Sequence, residues 1–154
     1  MTEYTNFVKD FAERSRLNLM GLEAKERCGG EFYEVTQLIN SLLGMLVFIH
    51  ENDIPPNTRI ESIQGFPNVT PIVGKRKTRL SDLIEALRDA VCHGQIEQDA
   101  TGDGETITGF TFWKTRSRGK KPRPAIWKAK YSLDEIRFIA NYLTELITEP
   151  PSQK

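Results

Sequence analysis

The residues best suited to chemistry lie together past the middle of the chain, in the segment RDAVCHG at 88–94. Arg88 and His93 are separated by four residues, and Asp89 directly follows the arginine. A guanidinium group is always charged and offers a planar fork to phosphate oxygens, while an imidazole transfers protons near neutral pH. Such a pair is sufficient for RNA cleavage without a metal, in which the ribose 2′-oxygen attacks the adjacent phosphorus and the 5′-oxygen leaves.

The spacing of this pair is weak evidence by itself, because the chain holds 11 arginines and two histidines. Chance alone would place about 0.14 such pairs in a chain of this length. The plain alternative is a solvated helix end that His93 closes. The sequence therefore offers two interpretations of the motif, a catalytic pair or an ordinary helix terminus.

A helix over 81–93 must position these residues, with Ser81 as its predicted cap and Gly94 as its stop. At 100° per residue, one side of this helix forms an apolar stripe and the other a polar fan. The stripe consists of Leu80, Leu83, Ile84, Leu87 and Val91; the fan consists of Glu85, Arg88, Asp89, Cys92 and His93. Arg88 and His93 stand at opposite edges of the fan, so one helix offers a shallow, open site. A twofold copy facing it would place two arginines and two histidines around one cleft.

Basic residues cluster in the second half of the chain, although the net charge is zero. Residues 75–130 hold 13 Lys and Arg against 7 Asp and Glu. Four of the five residues at 75–79 are cationic, and a second cluster without an acid comprises Lys114, Arg116, Arg118, Lys120, Lys121 and Arg123. Such clusters suit a phosphate backbone, whose binding is dominated by cation contacts. A solvated loop remains the alternative interpretation.

Hydrophobic spacing predicts a mainly α fold, a four-helix bundle with a β-hairpin inserted before the last helix. The helices are predicted over 3–26, 31–51, 81–93 and from 132 to about 150, the last opened by a Ser132/Glu135 capping box. The strands are predicted over 105–113 and 125–131, with the basic stretch 114–124 as the hairpin tip. A long proline-rich loop is expected over 52–79, and residues 1–154 are expected to form a single domain.

Composition excludes several classes of protein. A length of 154 residues with 38% hydrophobic and 27% charged residues is typical of a globular domain, not of a disordered chain. The longest apolar run, 42–49, is too short to span a bilayer, and the first ten residues do not form a signal peptide. Two cysteines suit a reducing cytoplasm, and a zinc site of thiolates and imidazoles would need both of them and both histidines. We therefore expect a cytoplasmic protein with no metal and no other cofactor.

The motif at 88–93, with the polar Asp89 directly after the arginine, resembles that of the HEPN superfamily (higher eukaryotes and prokaryotes nucleotide-binding). The segments YEVTQLINSLLGMLVFIHEN at 33–52 and GETITGFTFWK at 104–114 resemble a plasmid-borne prokaryotic branch of it. The resemblance implies a small helical bundle that dimerises where two motif helices meet. It further implies a metal-independent endoribonuclease, acting as a toxin or in defence against phage, with Arg88 and His93 catalytic and Asp89 supporting them.

The resemblance leaves one alternative function open. Some members of the superfamily have lost activity and act as RNA-binding or protein-interaction modules. For an active protein, the expected partners are a second copy of the chain and RNA, with no membrane. The residues expected to bind RNA are Arg116, Arg118, Lys120, Lys121 and Arg123 of the hairpin tip. An antitoxin or a nucleotidyltransferase would be a separate protein.

Overall fold

The computed structural model describes residues 6–27, 34–49, 54–55, 57–102, 106–115 and 124–149. Its helices are α1 (Phe7–Arg27), α2 (Glu34–Phe48), α3 (Leu80–Cys92) and α4 (Leu133–Thr148), and its strands are β1 (Ile96–Ala100), β2 (Ile107–Thr115) and β3 (Ala125–Ser132). The predicted fold class, mainly α with a hairpin before the last helix, is confirmed. Chain contacts divide the protein into two compact units, residues 1–56 with 136–154 and residues 57–135.

In the first unit, α1 and α2 pack closely. The rings of Phe7 and Phe11 meet Phe48 edge-on, so the start of α1 lies beside the end of α2, as in an antiparallel pair. Gly44 permits this approach, because a Cβ atom there would lie 2.5 Å from the Phe11 ring. An Arg137–Glu23 ion pair of 2.7 Å joins α4 to α1. The apolar spacing corresponds only in part to core faces. The buried apolar residues of these two helices are Ala12, Leu19, Leu38, Leu42, Met45 and Leu46, whereas Phe7, Leu17, Met20 and Val47 are exposed.

The second unit is built on an antiparallel sheet in the order β1–β2–β3. Trp127, Ala129 and Tyr131 are buried, as their strict alternation predicts. On β2 the buried aromatic residue is Phe112, whereas Trp113 is half-buried with the Lys128 Nζ atom 5.8 Å from its ring centre. β1 was not predicted, because IEQDA does not alternate; it exists as an edge strand paired to β2.

The start of α3 differs from the prediction. Ser81 lies inside the helix, and Arg79 occupies the N-cap position without a side-chain hydrogen bond. The physical reason is a long-range backbone contact: the amide of Leu80 donates to the Thr58 carbonyl oxygen at 3.0 Å. One of the free amides that a cap would satisfy therefore already has a partner. The predicted Ser132/Glu135 box at the start of α4 is confirmed, with the Ser132 amide donating to Glu135 Oε2 at 2.8 Å and the Glu135 amide to Ser132 Oγ at 3.3 Å.

The described part of the proline-rich loop is structured. It contains a short 3-10 helix (Ile60–Ser62). Ile60 and Phe66 are buried, so the loop contributes to the core of the second unit. Farther along, Val73 forms an antiparallel bridge with Lys128 of β3. This segment is thus attached to the sheet.

Candidate active site

The C-terminal end of α3 has a fixed backbone geometry. Gly94 has a φ of 63°, a left-handed conformation that favours glycine. The amide of Gly94 donates to the Val91 carbonyl oxygen at 3.0 Å, and that of Gln95 donates to the Ala90 carbonyl oxygen at 2.7 Å. These two bonds form a Schellman motif, which satisfies the last carbonyl groups of the helix. His93 is the C-cap residue, and its backbone position is therefore well defined.

Gln95 ties this helix end to the end of β2. Its carbonyl oxygen accepts a hydrogen bond of 3.0 Å from the Trp113 amide. Its side-chain amide donates to Thr115 Oγ1 at 2.8 Å. These two hydrogen bonds hold the end of α3 against the last residues of β2. Side chains of the hairpin therefore lie beside the polar face of α3.

The polar fan predicted for α3 is present. Glu85, Cys92 and His93 are exposed, while Arg88 and Asp89 are partly buried. The opposite side is buried through Leu80, Leu83, Ile84, Ala86, Leu87 and Ala90. Val91, predicted to be a core residue, is only half-buried, whereas Ala86 and Ala90 of the same helix are buried. Arg88 and His93 therefore share a surface-facing side of one helix.

Lys114 belongs to β2 and not to the hairpin tip, where its sequence position predicts it. The strand extends to Thr115, and the Lys114 side chain contacts α3. Its ammonium group forms ion pairs with Asp89 Oδ2 and, at 3.0 Å, with Glu85 Oε1. Strand alternation was a usable signal, because Lys114 lies two residues after the buried Phe112 and so starts from the same face of β2.

The ion pairs of Lys114 set the electrostatics beside the motif. The side chain of Lys114 is 26% exposed, against 38% for Asp89 and 67% for Glu85. The hydrogen bond to Asp89 raises the pKa of Lys114, as does the weaker one to Glu85, while partial burial opposes them. Asp89 is therefore engaged by a cation from the hairpin. An anion directly after Arg88 in the sequence need not neutralise that arginine in space.

The arrangement at the end of α3 can act on a phosphodiester. An exposed imidazole at a rigid helix end can exchange a proton with a ligand that approaches from solvent. A guanidinium group on the same side of the helix can bind phosphate oxygens. Asp89 is held by the ion pair with Lys114.

The predicted RNA-binding residues of the hairpin tip lie outside the described residues. They are Arg116, Arg118, Lys120, Lys121 and Arg123. Among the residues that the structure describes, no helix has the length and apolar character needed to cross a membrane.

Comparison with known proteins gives one match that covers the entire chain. The family model described as HEPN pEK499 p136 matches residues 1–154. No curated protein and no solved structure matches the sequence. The helical fold with its hairpin is consistent with this match over the whole chain. The chain belongs to the HEPN family, in a plasmid-borne branch.

Proposed function

We propose that the protein is a metal-independent endoribonuclease that uses Arg88 and His93. The observation that carries this proposal is the placement of both residues on the surface-facing side of α3, with His93 at a rigid, exposed helix end. HEPN membership supports a nuclease or RNA-binding role. Arg88 and His93 supply the two groups that phosphodiester transesterification requires, a fixed cation and a proton carrier.

The reaction would proceed by attack of the ribose 2′-oxygen on the adjacent phosphorus. A neutral imidazole accepts the 2′-hydroxyl proton, and an imidazolium donates a proton to the departing 5′-oxygen. The Arg88 guanidinium group stabilises the negative charge that develops on the phosphoryl oxygens. The products are a 2′,3′-cyclic phosphate and a 5′-hydroxyl group.

The proposed active form is a homodimer in which two copies of α3 face each other. One copy of His93 then acts as the base and the other as the acid, which a single exposed helix end cannot arrange. The open polar side of α3 supports this assembly, because it carries the motif on a surface and not in a closed cleft. A monomer by light scattering at micromolar concentration would contradict it.

In the cell, such an activity would make the protein a toxin or a phage-defence effector that a separate antitoxin or nucleotidyltransferase restrains. The proposal predicts that induced wild-type protein arrests bacterial growth, whereas His93→Ala protein at equal abundance does not. Equal arrest by both proteins would show that the growth arrest does not depend on the proposed catalysis by His93.

The direct test uses purified protein, a pool of structured RNA and EDTA. We expect cleavage to persist in EDTA and to leave 5′-hydroxyl ends. The control is the His93→Ala protein, purified and assayed identically. Equal cleavage by the two proteins would point to a contaminating nuclease, and 5′-phosphate ends formed only with magnesium would rule out this mechanism.

One observation favours a non-catalytic HEPN module as the second candidate. Glu85 and Asp89 together carry two negative charges beside the motif, and Lys114 compensates one of them. A neutral or anionic surface weakens the approach of RNA. In that case wild-type protein would cleave no RNA pool and yet bind RNA or a protein partner.

A further inference from the structure

Five cations gather at the other end of the motif helix, near its N-terminus. They are Arg59, from the loop before the 3-10 helix, and Lys75, Arg76, Lys77 and Arg79, from the loop that enters α3. We call these five residues the basic surface. Arg59, Lys75 and Arg79 are exposed, and Arg76 and Lys77 are partly buried beside the shallow depression above Trp127 and Tyr131.

Arg59 and Arg79 lie directly opposite each other across an antiparallel bridge. The amide of Ile60 donates to the Thr78 carbonyl oxygen and that of Leu80 to the Thr58 carbonyl oxygen, both at 3.0 Å. The two arginines are therefore a non-hydrogen-bonded pair, the type in which opposing side chains come closest. Like charges in such a pair repel each other. An anion bound between the two guanidinium groups would turn this repulsion into attraction.

These cations have no ion-pair partner among the residues that the structure describes, whereas the motif-side Lys114 has two. The acids nearest in sequence are Glu61 and Asp82, both exposed and neither within 4.0 Å of a basic-surface cation. The basic surface thus carries five positive charges against two nearby negative ones. Its positive charge remains available to a ligand.

The loop that carries these cations is attached to the sheet. The amides of Ile72 and Val73 donate to the Lys128 carbonyl oxygen at 2.7 and 3.2 Å, and the Lys128 amide donates to the Val73 carbonyl oxygen at 3.0 Å. Gly74 has a φ of 83°, and a Cβ atom there would lie 2.3 Å from the Ile126 carbonyl oxygen. Two ordered attachments, at Val73 and Arg79, therefore bracket the cationic residues. A charge cluster held in this way loses less conformational entropy on binding.

We propose that the basic surface binds the sugar-phosphate backbone of single-stranded RNA, as an anchor separate from the motif. The inference deepens the proposed function, on which it rests for the identity of the nucleic acid. A helix of 13 residues is about 20 Å long, so the surface and His93 engage different parts of a strand. Guanidinium forks match phosphate oxygens bidentately, and a backbone presents its charges in a row, as the bracketed loop does.

The test measures binding of a fluorescein-labelled 2′-O-methyl oligouridine 20-mer, which has no 2′-hydroxyl group and cannot be cleaved. Affinity is determined by anisotropy at several salt concentrations for wild type and for Arg59→Gln/Arg79→Gln. The control, Lys9→Gln/Arg16→Gln, removes two exposed cations from α1 and so makes the same change in net charge. Loss of two phosphate contacts should lower the slope of log affinity against log salt by about 1.4, while the control keeps the wild-type slope.

Each outcome decides the proposal. Wild-type binding with an unchanged slope in the Arg59/Arg79 variant would overturn the anchor but leave the proposed function standing. Absence of any wild-type binding to RNA would overturn both. Poly-glutamate of equal length that competes as well as RNA would assign the surface to an acidic protein instead. A melting temperature of the variant at or above that of wild type would support the repulsion argument, and a lower one would contradict it.

Discussion

The two ends of α3 differ in whether the positive side chains beside them are paired with carboxylates. At the C-terminal end, Lys114 is neutralised by Asp89 and Glu85, and Asp89 directly follows Arg88 of the motif. At the N-terminal end, Arg59 faces Arg79 with no carboxylate within 4.0 Å in the described part of the chain. Paired charges fix geometry, whereas unpaired charges create a field that attracts an anion.

This difference supports the proposed separation of cleavage at one end of α3 from RNA anchoring at the other. The end with the motif gains little positive potential from its neighbours, so its contribution must come from the positions of individual groups. The end with the basic surface has no residue suited to proton transfer among its five cations, so its contribution must come from affinity. Variants at the two ends should therefore change different quantities.

The largest expected effect is on the chemistry at the C-terminal end. Arg88→Ala and His93→Ala should each reduce the rate of RNA cleavage by about 100-fold to 10,000-fold, because a charge-stabilising or proton-transferring group is lost. Single-turnover cleavage at saturating RNA measures this rate. The cost in stability should stay at or below about 1 kcal/mol, since neither residue belongs to the core.

Cys92→Ser provides the matched control for this prediction. Cys92 is exposed on the same side of α3, directly before His93, and has no place in the proposed chemistry. It should cleave RNA at the wild-type rate. A comparable loss in the Cys92 variant would mean that any change at this helix end is disruptive, and the roles assigned to Arg88 and His93 would lose their support.

The next effect concerns affinity and a third basic region, the hairpin tip. Replacing Arg116, Arg118, Lys120 and Lys121 by Ala should flatten the salt dependence of RNA binding. Loss of four contacts lowers the slope by about 2.8, so wild type would lose about 50-fold more affinity than the variant between 50 and 200 mM salt. Anisotropy with uncleavable RNA measures this. An unchanged slope would favour the alternative interpretation of the tip as a solvated loop that does not bind RNA. The basic surface would then be the remaining proposed anchor.

A smaller effect should follow from breaking the ion pair at the motif. Lys114→Met leaves Asp89 without its cation, and the carboxylate becomes free to compete for Arg88. We expect the cleavage rate to fall about tenfold, a coupling of the size seen between contacting residues. Asp89→Asn in the same chain should restore most of the rate, because it removes the competing charge. Failure of this rescue would show that Lys114 acts on its own and not through Asp89.

The ion pair also predicts a pH dependence of stability. The pKa of Lys114 is raised in the folded protein, so its stabilising contribution is complete below 10.5 and is lost as the pH rises through the higher folded value. The contribution itself should be at most about 1 kcal/mol, because all three side chains are partly exposed to solvent. Urea unfolding of wild type and Lys114→Met should differ at pH 7 and converge at strongly alkaline pH.

The smallest effect is expected at Tyr131, which is buried in the hairpin and has no role in the proposed chemistry. Burial raises the pKa of Tyr131, with a further contribution from the carboxylate of Glu135. The unfolded chain ionises first, so stability is lost as the pH rises above 10. Tyr131→Phe removes this ionisation, and the variant should retain more of its neutral-pH stability at pH 11 than wild type. A parallel loss in both proteins would contradict this.

Local patterns in the sequence predicted much of the second unit. The alternation of Trp127, Ala129 and Tyr131 predicted a strand, and the Ser132/Glu135 box predicted a helix start; both depend on interactions within a few residues. Gly94 predicted the helix end for the same reason, since the left-handed conformation is a property of one residue. The motif itself, with its exposed side, followed from helical spacing.

Features that depend on contacts between distant segments could not be read in this way. The N-cap of α3 moved from Ser81 to Arg79 because the Leu80 amide has a partner 22 residues earlier, at Thr58. β1 is a strand because β2 pairs with it, although its own residues show no alternation. Lys114 has a structural role at the motif because α3 presents two carboxylates to it from 25 and 29 residues away.

The sequence by itself determined the four helices, the two hairpin strands and the polar side of α3 that carries the motif residues. Hydrophobic spacing and capping are short-range, so a single chain displays them directly. The tertiary structure decided which charges are paired. Arg59 lies opposite Arg79, and Lys114 pairs with Asp89, because segments distant in sequence meet only after folding. Electrostatic interaction depends on distance in space and not on separation along the chain.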